Sequence, residues 1–86
     1  MVLKIFTGEG CKNCKPTKAN LIKLGKAFTE YNTDTPDGAM EAGKYKVWSL
    51  PSIIVCDDSG NAVKKIMGYH PLSSLRKELE DATKKG

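Results

Sequence analysis

Two thiols and the cations around them are the chemically promising residues of this chain: Cys11 and Cys14, with Lys12 and Lys15, in the stretch "TGEGCKNCKP". Thiolates can ligate a metal, close a structural disulfide, or attack a disulfide. A tetrahedral metal site needs two more ligands. The only other Cys or His residues are Cys56 and His70, with no second C-x-x-C and no H-x-x-x-H. A structural disulfide closing so small a loop would gain little chain entropy, and a cytosolic reductant would open it. Redox chemistry is the reading that remains. In a helical first turn the spacing brings both sulfurs within disulfide reach and turns the first toward unpaired N–H groups. Those groups, the helix dipole and the two lysines favour a thiolate on Cys11. Cys11 is then the attacking sulfur and Cys14 the resolving one.

The flanking elements must hold this pair. "VLKIFT" reads as a buried strand ended by Gly8 and Gly10. From Cys14 to about Phe28 the pattern is helical, with Leu21, Leu24 and Phe28 on one face. Pro16 either opens that helix or bends one that begins near Cys11; the thiolate argument favours the bend. "FTEYNTD" suits a second strand. Thr35, Pro36 and Asp37 then offer an N-cap, an N1 proline and a first-turn acid for a short helix to about Tyr45, weakened by Gly38 and Gly43. "PSIIVC" is the strongest strand, "DDSGN" a turn, and "AVKKIM" the second arm of a hairpin. Leu72, Leu75, Leu79 and Ala82 line one face of a last helix opened by Pro71. The order is β-α-β-α-β-β-α.

Composition sets outer bounds. The chain has 86 residues, 40% hydrophobic and 28% charged, which is the profile of one soluble globular domain spanning 1–86. No apolar run approaches the roughly 18 residues of a membrane span, and no charged segment with an apolar core marks a secretory leader. The expected address is therefore cytoplasmic. The net charge of +4 is spread along the chain without an aromatic-laced basic stripe, so nucleic acid is not an expected partner. The terminal "KKG" reads as a solvated tail.

With these elements in order, the chain resembles the thioredoxin-fold superfamily, in the short form of glutaredoxins and glutaredoxin-like small thioredoxins. The residues that carry the resemblance are Cys11-Lys12-Asn13-Cys14, "TDTP", "SLPS" with Leu50-Pro51, and Gly68 before the last helix. The resemblance implies a four-stranded sheet in the order 2-1-3-4 with helices on both faces. It implies a cis Leu50–Pro51 peptide beside the cysteines and a substrate groove formed by Leu50, Pro51, Trp48, Gly68 and Tyr69. With Pro51 there, Cys56 lies roughly 17 Å further along its strand and cannot reach the same metal. No metal and no cofactor beyond the Cys11–Cys14 disulfide is expected. The implied activity is reduction of protein disulfides by a monomer, with ribonucleotide reductase among the implied clients.

Departures from the family pattern bear on the reductant. Thioredoxins usually carry Trp-Cys-Gly-Pro-Cys and a buried Asp on the preceding strand; here Gly10, Lys12-Asn13 and Ile5-Phe6 stand in those places. Glutaredoxins commonly have a base shortly before the first cysteine and Gly-Gly then Asp before the last helix. Glu9 and Gly68-Tyr69-His70-Pro71 occupy those stretches. The expected reductant is therefore a thioredoxin-reductase-type flavoprotein rather than glutathione. A metal or iron–sulfur binding module, with Cys11 as a cluster ligand across a dimer, is the alternative of another class. Lys12, Lys15 and Lys18 at i, i+3 form either a solvated face or an electrostatic rim for an acidic partner. Trp48 is read as a contact residue, Cys56 as a small buried hydrophobe, and His70 as a cap or surface residue.

Overall fold

Every residue of "SIIVC" is buried, because this strand lies inside a sheet covered on both faces. The computed structural model describes residues 2–85, with side chains through residue 82. Its elements are β1 (Val2–Thr7), α1 (Cys14–Lys23), β2 (Thr29–Asn32), α2 (Pro36–Lys44), β3 (Ser52–Cys56), β4 (Ala62–Met67) and α3 (Leu72–Lys85). The sheet order is β2-β1-β3-β4, the topology expected from the resemblance. β1 runs parallel to β2 and antiparallel to β3, and β3 pairs antiparallel with β4.

The period of two along each strand divides the core. Leu3 and Ile5 of β1, with Ile53 and Val55 of β3, meet Leu21 of α1 and Leu75 and Leu79 of α3. Phe6, Ile54 and Cys56 face the other way, toward Ala42 of α2, and Phe6 stacks on Tyr31 at 5.4 Å between ring centres. On this second face Lys4 sends its Nζ to the Tyr45 hydroxyl at 2.9 Å and to Glu41 Oε2 at 3.1 Å. The Tyr45 hydrogen bond first, and then Glu41, hold the Lys4 ammonium well above its ordinary range despite its partial burial. The hairpin turn is built on Asp57, whose Oδ1 accepts from the N–H groups of Ser59 at 2.9 Å and Asn61 at 3.0 Å.

α1 begins at Cys14 with Asn13 as its N-cap, so Cys11 precedes the helix and no bend at Pro16 is required. The physical reason is that Pro16 is the third helical residue. N–H groups of the first turn have no intrahelical acceptor, so the proline removes no bond; the first helical bond runs from Thr17 N–H to Asn13 O, at 3.2 Å. In α2 the Thr35 cap is as expected: its Oγ1 accepts from Gly38 N–H at 3.0 Å. Gly38, however, is a requirement of the packing, because a Cβ there would overlap the Asn32 backbone carbonyl. As for the terminal tail, the backbone of Lys84 and Lys85 continues α3, while Gly86 lies outside the described residues.

Candidate redox site

β1 and β3 both present one end to the loop that carries the cysteines. Thr7 ends β1, and Ser52 at the start of β3 pairs with Phe6. Cys56 pairs with Val2, at the opposite end of both strands. It is fully buried and remote from the pair, as its distance along the strand predicted. Among the described residues, no three His, Cys, Asp or Glu side chains gather in a way that could hold a metal ion.

Residues 8–13 bridge β1 and α1, and within them Cys11 N–H closes a turn on Gly8 O at 3.3 Å. Gly10 adopts a φ of +77°, a conformation that favours glycine. The following sulfur is bonded: Cys11 and Cys14 form a disulfide with Cα atoms 5.5 Å apart. Cys14 is 6% exposed, whereas Cys11 is half-buried. Access from solvent therefore favours Cys11 as the sulfur that meets another molecule. α1 starts at Cys14, three residues beyond it.

The loop is pinned from the β2–α2 side. Glu9 N–H donates to Asp34 Oδ2 at 2.6 Å, and Asp34 N–H donates in turn to Asn32 Oδ1 at 2.8 Å. Thr33 donates twice to Thr7 O, from N–H at 2.8 Å and Oγ1 at 3.0 Å. Gly8 is small because Leu50 and Thr33 approach it; a Cβ there would lie 2.7 Å from Leu50 Cδ1.

The Leu50–Pro51 peptide is cis, as the resemblance implied. Pro51 is buried, and its carbonyl accepts from Gly68 N–H at 2.8 Å, which ties the end of β4 to it. Ser52 Oγ donates to Ser49 O at 2.6 Å across the same bend. Trp48 is 78% exposed, so it is not part of the core. The Lys65 ammonium lies 5.5 Å from the centre of its ring. Tyr69 is exposed beside Gly68, and His70 caps locally: its Nδ1 meets Ser74 Oγ at 3.2 Å, and its carbonyl accepts from Asn20 of α1 at 3.2 Å.

Two hollows flank this arrangement. One of about 360 Å³ is bordered by Thr33, Ala42, Val47, Trp48 and Leu50. The other, of about 290 Å³, reaches both cysteines and is bordered by Glu9, Lys15, Lys18 and Glu30. The structure thus joins Trp48 to Leu50 and Lys15 to the cysteines. Lys12 is exposed and borders neither hollow, and neither does Tyr69.

Glu30 and Thr7 were absent from the sequence-derived site. Glu30 Oε1 pairs with Lys18 Nζ at 2.9 Å, and its Oε2 accepts from Thr7 Oγ1 at 2.9 Å. The Lys18 hydrogen bond, and after it that of Thr7, hold the Glu30 carboxyl below the usual carboxylate range against the opposing effect of burial. A depressed folded pKa contributes stability that is complete above the unfolded value and is lost as pH falls through the folded one. Urea unfolding should therefore find the wild type more stable than Glu30→Gln at pH 7, by no more than about 1 kcal/mol for so exposed a pair. The difference should shrink as pH falls from the unfolded carboxylate value of about 4.3 through the lower folded one. A gap that stays constant across that acid range would mean that charge is not its source.

No protein-family model matches the chain. A thioredoxin from Staphylococcus saprophyticus is 33% identical over 63 residues, covering 73% of this chain and 51% of that protein. The thiol:disulfide interchange protein TxlA homolog of Synechocystis sp. is 26% identical over 80 residues, covering 86% of this chain and 44% of the relative. The chain thus spans about half the length of the curated relatives it matches. The solved structure of a mutant thioredoxin from Halobacterium salinarum superposes with a TM-score of 0.81 at 22% identity, covering 95% of this chain and 74% of that one. The sheet order, the helices on both faces and the structural likeness agree: the chain has the thioredoxin fold. The sequence relatives over this stretch carry the names thioredoxin and thiol:disulfide interchange protein.

Proposed function

We propose that this chain is a thiol–disulfide oxidoreductase of the thioredoxin type that reduces disulfides in protein substrates. The observation that carries the reading is the Cys11–Cys14 disulfide at the head of α1, with one sulfur accessible and the other buried. In the reduced protein the Cys11 thiolate attacks a substrate disulfide. One substrate sulfur leaves as a thiolate, and a mixed disulfide forms. Cys14 then attacks Cys11, releases the second substrate thiol and restores the oxidised pair. Two electrons pass from the dithiol to the substrate. Leu50, Pro51 and Gly68 form the floor of the groove, with Trp48 and Tyr69 as exposed contact surfaces on an extended substrate. Lys12 and Lys15 add positive charge beside the attacking sulfur. The protein acts as a monomer without a metal or cofactor, in the cytoplasm, and oxidised ribonucleotide reductase is one candidate client. No helix among the described residues is long and apolar enough to cross a membrane.

The reductant in this reading is a thioredoxin-reductase-type flavoprotein. Glutathione is anionic, and the acid Glu9 borders the same hollow as Cys11 where a base would meet it. Lys15 in that hollow offsets part of the repulsion. Two NADPH-coupled assays decide, one with thioredoxin reductase and one with glutathione and glutathione reductase. Turnover with the flavoprotein is expected. Robust turnover only with glutathione would make this a glutaredoxin with a rearranged tripeptide site. Silence in both, together with stoichiometric metal in the purified protein, would favour the cluster-binding alternative.

A further inference from the structure

Cys14 must give up a proton before it can resolve the mixed disulfide, yet it is the more buried of the two sulfurs, and burial alone disfavours a thiolate. What faces it is the hollow of about 290 Å³. The charged groups that border the hollow come from three places: Glu9 from the β1–α1 loop, Lys15 and Lys18 from α1, and Glu30 from β2. Glu9 and Lys15 are exposed and screened by solvent, and the Lys18 and Glu30 side chains are themselves 34% and 38% exposed. Lys18 differs in two ways. It lies one helical turn after Cys14, and i, i+4 residues share a face with Cβ atoms about 5–6 Å apart. Its ammonium is also held in place, 2.9 Å from a Glu30 carboxylate whose other oxygen accepts from Thr7.

We propose that Lys18, fixed by Glu30 and Thr7, stabilises the Cys14 thiolate and so sets the rate at which the mixed disulfide is resolved. The inference rests on the exchange function proposed above and assigns a residue to its second step. In that step the Cys14 thiol releases its proton to water in the hollow. The thiolate attacks Cys11 Sγ, the Cys14–Cys11 bond forms, and the bond from Cys11 to the substrate sulfur breaks. The substrate sulfur leaves with the electron pair and takes up a proton. Lys18 touches no substrate; it is a positioning residue that acts through Cys14. Glu30 orients it, and the Thr7 hydroxyl, on a buried side chain, occupies the second carboxylate oxygen.

The test is a pH titration of the reduced protein labelled with ¹³Cβ-cysteine, followed by NMR, on wild type, Lys18→Met, Lys18→Arg and Lys23→Met. The Cys56→Ala protein assigns the third cysteine signal. Lys18→Met should raise the Cys14 midpoint by about half to one pH unit. Single-turnover resolution at pH 7 should slow by about three- to tenfold, and the rate profiles should converge at high pH. Lys18→Arg keeps the charge and should recover most of both effects. Lys23→Met removes the same charge from the far end of α1 and should move neither. A folded Lys18→Met protein with an unshifted Cys14 midpoint overturns the proposal, as does an equal shift in Lys23→Met. The titration needs no turnover. A protein without exchange activity would refute the proposed function, while a shifted midpoint would still uphold the coupling of Lys18 to Cys14.

Discussion

Gly38→Ala is expected to destabilise the protein by about 2–4 kcal/mol, although helix propensity alone predicts a gain of nearly 1 kcal/mol. The new Cβ would meet the Asn32 carbonyl, a backbone atom at the end of β2. That carbonyl accepts from Thr35 N–H at 3.0 Å and from Thr35 Oγ1 at 2.7 Å. Thr35 Oγ1 in turn caps Gly38 N–H, so a shift that makes room for the methyl loosens the cap as well, itself worth about 0.5–2 kcal/mol. Gly43 in the same helix provides the contrast. A Cβ there meets nothing within 4 Å, so Gly43→Ala should stabilise by up to about 1 kcal/mol. Thermal unfolding reads both, at roughly 4–8 °C per kcal/mol for a domain of this size. Opposite signs are the expected result. A neutral Gly38→Ala would show that β2 and α2 are free to separate there.

Those two glycines show where sequence reading ends. Both weaken a helix by propensity, and propensity is a local property. The distinction between them lies in what crosses the helix in space. "SIIVC" was legible as an unbroken apolar run, "AVKKIM" from the turn that precedes it, and the Leu75–Leu79 face from its helical spacing, all of them signals carried by nearby residues. Cys11, Cys14 and the cis bond at Pro51 were legible because each lies within a short motif, Cys-x-x-Cys or Leu-Pro. Lys18, Glu30 and Thr7 come from three separate elements. Their meeting depends on the register that sets Glu30 opposite Ile5 and so turns it to the α1 side of the sheet. Asp34 is similar, since it holds Glu9 N–H across 25 residues. The start of α1 was misplaced for a different reason. Placing Cys11 in the first helical turn satisfied the thiolate argument, but the turn from Cys11 to Gly8 and the N-cap at Asn13 bring the sulfurs together without it.

The two cysteines should fail differently when removed singly. Cys14→Ser is expected to accumulate stable mixed disulfides with protein substrates, whereas Cys11→Ser should capture none, and neither should sustain turnover. Attack on a bulky disulfide requires a sulfur that a second molecule can reach, and only Cys11 offers that; Cys14 is 6% exposed and sits inside the first turn of α1. Once Cys11 carries the substrate, Cys14 needs no access to solvent. It needs only the proximity already seen in the disulfide, where the Cα atoms are 5.5 Å apart. Serine cannot perform that second attack, so the adduct persists until an external thiol removes it. Non-reducing electrophoresis of each variant, mixed with an oxidised protein substrate, checks the difference directly. Cys56→Ala, altered at the far end of β3, should turn over nearly as wild type. Capture by Cys11→Ser and not by Cys14→Ser would reverse the two roles, and the exposure of the sulfurs would then be no guide to which one attacks.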